Sequence, residues 1–302
     1  MRQRKRMSSD ISITNDPNES KAITDGLNNI TAHELITEND VVVITPNWVN
    51  FDKPNPDSAV VVGHESLRTI IKYVKGNNPK RIVVATGSGG QPTSDVMKKV
   101  GYDQIIQNEG VEFIDLNYGP YTTISLNNQR PSSTKINKLI EDVTVLISFT
   151  QLKHHESATM SACIKNIALA WPPAEIHGYP KKALGIHDDI HSFICTMAET
   201  IPIDISILSC NPTMIGTGPT GGIPRHTELV VCGTDPISVD TIGARLLGFK
   251  PEAVQYLDKC DRLKMGITDL KQMNMIGLDL VSAEQQFSKK VYGETLAIDS
   301  KN

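Results

Sequence analysis

Apolar residues come along this chain in two spacings, and each spacing predicts an element. Compact apolar runs at residues 40–45, 80–85, 111–116 and 145–149 predict strands, each stopped by proline, glycine or polar residues. Between them the apolar positions recur every three or four residues. Val61, Leu67, Ile70, Ile71 and Val74 predict a helix that Asp57 opens and that runs to about Lys75. Further helices are predicted over residues 93–110 and 136–141, with a fourth strand at 121–126. This alternation argues for an α/β fold, a mostly parallel sheet with helices on both faces.

The second half is more irregular. Ser157 can cap a helix that runs to Trp171, with Met160, Cys163, Ile164, Ile167 and Ala168 on its apolar stripe, and Pro172-Pro173 ends it. Another helix is predicted at residues 186–199, then strands at 203–208 and 228–232 around a glycine-rich loop at 214–222. Asp235-Pro236 opens a helix that Gly248 ends, and helical pieces at 252–263 and 269–272 precede a last strand at 275–280. Residues 1–36 are polar and read as a flexible tail with a short helix at 31–35. Residues 37–285 form the α/β domain, divisible into sub-domains somewhere between 130 and 200, and 286–302 read as a C-terminal tail.

Composition narrows the function classes. A net charge of −4 over 302 residues argues against a general nucleic-acid binder, and 5% aromatics leave little for stacking single strands. The five cysteines, at 163, 195, 210, 232 and 260, contain no Cys-x-x-Cys pair, so no local zinc or iron–sulfur signature exists. Spread singly through apolar segments, they read as reduced core thiols in a cytoplasmic protein, with Cys210 at a strand end worth testing. The basic start, Arg2 to Arg6, is followed by polar residues rather than an apolar stretch, which argues against a secretory leader. No apolar run approaches the length of a membrane span.

Candidate chemistry gathers at strand ends, where ligands sit in such folds. Pro46-Asn47, the Gly87-Ser88-Gly89-Gly90 turn leading to Thr93, and Lys153-His154-His155 all occupy such ends. The glycine turn reads as an anion cradle of backbone N–H groups at a helix start, or as an ordinary flexible turn. Lys153 could hold a carboxylate or phosphate and His155 could carry a proton. His154 and His155 alternate in direction, so one of the two faces a site, if either does. Lys165-Asn166 lies within an apolar helix at the edge of its buried stripe, where a lysine either snorkels or works. His187 and His191, spaced i and i+4, could share a helix face and bind a metal, or lie on a solvated face. Asp235 reads as a helix cap.

These blocks resemble the family known as domain of unknown function 362, over residues 40–280. The resemblance rests on Val42-Val43-Ile44-Thr45-Pro46-Asn47, on Gly87–Gly90 followed by Gly101-Tyr102, and on Lys153-His154-His155 with Lys165-Asn166 and His187. Gly216-Thr217-Gly218-Pro219 and the block from Thr234 to Asp240 complete it. That family often has a lysine where this chain has Thr45 and an aspartate near Ser209-Cys210. Some members add ferredoxin-like cysteine clusters, which this chain lacks. A fainter resemblance links the order His155, Lys165, His187 to the central segment of the lactate racemase family. It implies a nickel-pincer nucleotide, with Lys165 holding or facing it, His187 as metal ligand and His155 as acid/base. The Ser-Gly-Gly before that family's lysine is Ser161-Ala162-Cys163-Ile164 here.

The expectation is an enzyme that binds a small anion in an α/β crevice and transfers a proton or hydride at carbon. Gly87, Ser88, Gly89, Gly90, Thr93, Asn166, Gly216 and Gly218 are the expected ligand- or cofactor-binding positions. Lys153, His155 and Lys165 are the expected catalytic residues, and His187 and His191 the expected metal ligands. The rival readings are a redox accessory protein served by a separate iron–sulfur partner and a noncatalytic anion-binding module.

Overall fold

The computed structural model describes residues 2–50, 52–296, 298 and 299. The chain begins with strand β1 (Asp10–Asn15) and helix α1 (Glu19–Asn29), then β2 (Val41–Pro46) and α2 (His64–Lys75). Next come β3 (Arg81–Thr86), α3 (Thr93–Val100), α4 (Tyr102–Glu109) and β4 (Glu112–Asp115). Strands β5 (Tyr121–Ser125) and β6 (Ser133–Asn137) form a separate hairpin. The long strand β7 (Val145–His155) turns back through β8 (Thr159–Ser161) into α5 (Cys163–Ala170), followed by α6 (Ala174–His177) and α7 (Ile190–Thr200). Then follow β9 (Ile205–Ile215), β10 (Ile223–Arg225), β11 (Leu229–Gly233), α8 (Pro236–Leu246), α9 (Gln255–Arg262), β12 (Asn274–Gly277) and α10 (Leu280–Tyr292).

One large sheet runs in the order β12-β1-β11-β9-β7-β2-β3-β4, with β10 added to β9 and β8 to β7. Along that path β11 opposes both neighbours, and every other adjacent pair is parallel. The central strands read as continuous apolar runs because both their faces are covered. Val43, Val83 and Leu146 face a core shared with α5, α7, α8, α9 and α10. Val42, Ile44, Val84, Val145 and Ile147 face a second core shared with α1, α2 and α4. The α/β expectation therefore holds.

Five expected boundaries change. Residues 1–36 are not a flexible tail along the described length. Ile11 and Ile13 alternate with Ser12 and Thr14, all four are buried, and β1 pairs with β11 on one side and β12 on the other. Residues 286–292 belong to α10, where Phe287 and Val291 are buried, and Asp299 pairs with Arg245 at 2.7 Å. Asp57 lies in a short 3-10 turn, and α2 starts after Gly63. Ser157 opens no helix: β7 continues through His155 and pairs with β8, so α5 begins at Cys163. The predicted helix at 93–110 is broken at Gly101, whose φ of +87° suits glycine at a helix end.

The basic start also has a fixed place. Arg2 pairs with Asp204 at 2.6 Å, Arg4 with Asp235 at 3.5 Å, Lys5 with Asp40 at 2.5 Å and Arg6 with Glu34 at 3.0 Å. Asp40 and Asp204 precede β2 and β9, and Asp235 follows the opposed strand β11. These carboxylates therefore lie along the amino edge of the parallel strands. Asp204 also accepts the N–H of Lys5 at 2.9 Å and of Leu146 at 2.7 Å. Burial pushes the Asp40 carboxyl up, but hydrogen bonds from Lys5, Thr144 and Thr37 outweigh it and bring the group down to about 2.

Candidate functional site

The carboxyl edge is built differently. β7, β2 and β3 are adjacent and parallel, so the segments after Phe149, Pro46 and Thr86 open on the same side. The chain after β2 is fixed by Trp48, which stacks on Tyr102 with ring centroids 4.2 Å apart. β7 loses register with β9 between Gln151 and Lys153, a bulge that re-aims the strand before it continues into the β8 hairpin. A cavity of about 320 Å³ lies over these ends. Lys153, His155, Lys165, Lys181, Lys182 and His187 line it together. One carboxylate reaches its lining, the exposed Glu156.

Three of these lysines are buried, and they differ in what holds them. Lys153 is 0% exposed, and its Nζ donates to Asn47 Oδ1 at 2.7 Å and to the Val60 carbonyl at 2.9 Å. Lys181 donates to the carbonyls of Gly87 and Leu169 at 2.9 Å and of Ala170 at 3.3 Å, tying the end of α5 to the loop after β3. Burial pushes its amine down to about 7 against the attraction of Asp115. Lys165, on α5, has no hydrogen bond or ion pair among the described residues. Burial alone pushes its amine down to about 8. Lys153 is pushed well below the usual lysine range by burial and by the charge of Lys165.

α5 is a rigid mount for Lys165. Asp240, on α8, accepts the N–H groups of Cys163 at 2.8 Å and Ile164 at 3.2 Å, and so meets the unpaired donors of the helix start. Asn166 donates from Nδ2 to the Thr45 carbonyl at 2.9 Å and to Ser148 Oγ at 3.1 Å, tying the helix to β2 and β7. The Asp240 carboxyl is raised to about 7, by burial first, with the amides and Tyr256 pulling the other way.

The two cavity histidines are neutral near pH 7. His155 is pushed down to about 2, first by burial and then by Lys165, His187 and Lys153. Its Nδ1 accepts the N–H groups of Ser157 at 3.1 Å and Ala158 at 3.2 Å, so the ring proton belongs on Nε2. His187 is pushed down to about 4 by burial and by Lys165 and Lys182, and its buried Nδ1 has no hydrogen-bond partner.

Several expected positions fall in the cavity wall, and others do not. Lys153, His155, Lys165, Asn166, His187, Gly87, Gly89 and Gly90 line it. Ser88 and Thr93 are locked beside it: the Ser88 N–H bonds Thr93 Oγ1 at 3.1 Å, and Thr93 donates to Asp115 at 2.8 Å. The Gly90 N–H bonds the Val49 carbonyl at 3.0 Å. Two amides of the expected anion cradle are therefore already occupied, and the positive charge of the site comes from lysines. Gly87 is required for space, since a Cβ there would lie 2.6 Å from Asn117 Oδ1 and 2.7 Å from the Ala170 carbonyl. Gly216 and Gly218 lie outside the lining. Gly218 presses on the His154 carbonyl, where a Cβ would sit 1.8 Å away, and the following Pro219 and Thr220 reach the cavity instead. His154 turns from the site to accept the Gly216 N–H at 3.0 Å and lies 5.4 Å, between ring centroids, from Phe249.

His187 and His191 do not share a helix face. Asp189 caps α7, which begins at Ile190, so His187 precedes the helix and the i, i+4 geometry does not apply. His191 stacks on Tyr256 at 6.2 Å, outside the cavity lining. No group of three or more His, Cys, Asp or Glu side chains suited to a metal ion occurs among the described residues. All five cysteines are buried, Cys210 included, and burial pushes its thiol up. Asp235 is the α8 cap, accepting the Ile237 N–H at 3.1 Å. Lys181 and Lys182 are functional candidates that the sequence alone does not single out. Their signal was a basic pair between two histidines in a segment with no helical or strand period.

Among the described residues no helix is long and apolar enough to cross a membrane. A thylakoid-associated protein of Synechocystis sp. is 21% identical over 234 residues, which cover 78% of this chain and 71% of that protein. The lactate racemase apoprotein from Thermoanaerobacterium thermosaccharolyticum aligns with a TM-score of 0.43 and 16% identity over 78% of this chain. The alignment spans 57% of the racemase chain's length. The family model described as Domain of unknown function (DUF362) matches residues 42–245, more than half of the 302. The chain therefore belongs to the domain of unknown function 362 family.

Proposed function

We propose that the crevice binds a small organic anion and that the protein moves a proton at the carbon beside the anionic group. One observation carries this reading: Lys165 is 9% exposed, faces the cavity and meets no carboxylate or hydrogen-bond acceptor among the described residues. A buried ammonium without a partner is costly, so the pocket is most stable when a ligand brings the missing negative charge. Lys182 at the exposed rim adds a second cation. Lys153 and Lys181 are held in place by their hydrogen bonds and leave Lys165 as the buried amine free to meet a ligand.

His155 takes a different part from the proton carrier expected of it. Protonating Nδ1 would point a third N–H at the amides of Ser157 and Ala158, so the ring stays neutral and donates from Nε2. A neutral imidazole of this kind polarises a substrate oxygen without itself changing charge. His187, whose ring lines the cavity and is neutral, is the histidine that takes the proton in this reading.

The side chains present do not fit a metal ion held by the protein alone. A nickel-pincer nucleotide brings its own donors and asks the protein for a lysine and a histidine, which Lys165 and His187 could provide. When bound, such a group would supply hydride transfer.

Isothermal titration with acetate, propionate and inorganic phosphate tests the anion reading. Binding at micromolar to millimolar strength is expected, weakened at least tenfold in Lys165→Met. Indifference of every anion to that substitution would remove the site as described.

A further inference from the structure

We propose that Lys165 forms an imine with a small α-keto acid, a carbonyl next to a carboxylate. The inference rests on the anion-binding reading of the crevice and names its substrate class. Three features of the cavity carry it.

The first is the contrast among the buried lysines. The Nζ of Lys153 is oriented by Asn47 and the Val60 carbonyl, and that of Lys181 by the carbonyls of Gly87, Leu169 and Ala170, so turning either nitrogen toward a ligand breaks hydrogen bonds. Lys165 has no such bonds to lose, so its nitrogen lone pair can face a ligand. A desolvated amine beside other cations is the usual environment of a lysine nucleophile. The second feature is the mount. α5 is fixed by Asp240 at its start and by Asn166 against two strands, so the amine approaches from a rigid element rather than a loop. The third is the pair of histidines around it. His155 presents a neutral Nε2–H for the keto oxygen, and His187, neutral and in the same cavity wall, serves as the base. A carboxylate on the same substrate meets Lys182 at the rim. At about 320 Å³ the cavity holds a small keto acid with room for released water.

The chemistry balances without an oxidant or reductant. The Lys165 nitrogen bonds to the keto carbon and the carbon–oxygen bond breaks. Ammonium plus carbonyl thus give iminium plus one water, with both protons of that water drawn from the original ammonium. Once the iminium forms, a hydrogen on the neighbouring carbon is acidified, because its electron pair can move toward nitrogen. His187 takes that proton, and its return from either face or from solvent completes proton transfer at carbon.

The test is reductive trapping of the intact protein. Pyruvate is added, then sodium borohydride, and the digested protein is analysed by mass spectrometry. The expected result is a stable secondary amine on Lys165, absent from Lys153 and Lys181 and absent when propionate replaces pyruvate. Lys165→Arg keeps the cation and should still bind propionate but yield no adduct. Exchange of pyruvate methyl protons in heavy water, followed by proton NMR, should be faster with the wild type than with this variant. If pyruvate and propionate both bind in calorimetry but borohydride leaves Lys165 unmodified, the imine is wrong and the anion site stands. If no anion binds, both fail. A Lys165 already carrying another group in the isolated protein also overturns the imine.

Discussion

Cations at the two edges of the central sheet meet opposite surroundings. At the amino edge, Arg2, Arg4, Lys5 and Arg6 each reach a carboxylate within 3.5 Å. At the carboxyl edge, Lys153, Lys165 and Lys181 are more deeply buried and reach no carboxylate within salt-bridge distance among the described residues. One edge satisfies its charges internally and joins the start of the chain to the sheet. The other leaves its charges short of counterions, which is unfavourable for folding and useful for recognising an anion. The difference separates charges answered within the fold from charges that only a ligand could answer.

The comparison breaks first at Asp204. Asp204→Ala removes the Arg2 pair and strands the Leu146 N–H, and should lower stability by about 3 kcal/mol in urea denaturation. A loss too small to resolve would mean that the amino edge is held by something other than its carboxylates. Lys165→Met should act in the other direction and raise stability at pH 7 by about 2 kcal/mol, since an unpaired buried charge is replaced by an apolar side chain.

That gain should depend on pH, with a defined sign. The Lys165 amine lies at about 8 in the folded protein and at 10.5 ordinarily, so the unfolded chain binds more protons between these values. The cost of burying the charge is full below about pH 8 and is relieved as pH rises toward 10.5. The melting temperature of the wild type should therefore gain on that of Lys165→Met across this interval, and parallel curves would show that Lys165 carries no buried charge. The smallest effect is expected from Arg2→Ala. Arg2 is partly exposed, so losing its side chain while Asp204 keeps the Lys5 and Leu146 amides should cost about 1 kcal/mol.

Much of the crevice was legible because strand ends announce themselves. An apolar run that stops at Pro46-Asn47, at Gly87 or near Lys153 marks both a parallel strand and the side on which it opens. Lys153, His155, Lys165 and His187 do line one cavity. Less legible were features set by partners distant in sequence. β1 carries two isoleucines and lies among polar residues, so its signal is short; its neighbours β11 and β12 decide its state. The i, i+4 spacing of His187 and His191 implies a shared face only if both are helical, and the Asp189 cap shows that they are not. Lys181 reads as a surface lysine because three backbone carbonyls, invisible as sequence signals, draw it inside. The glycine turn suggested free amides, but Thr93 and Val49 occupy two of them.

The grip of Asp240 on the first amides of α5 has a practical consequence for anyone who sets out to redesign this protein. A mutant library confined to cavity walls would leave out the residue that sets the pitch and depth of Lys165. Substitutions on α8, remote from any bound molecule, could retune selectivity by tilting one short helix.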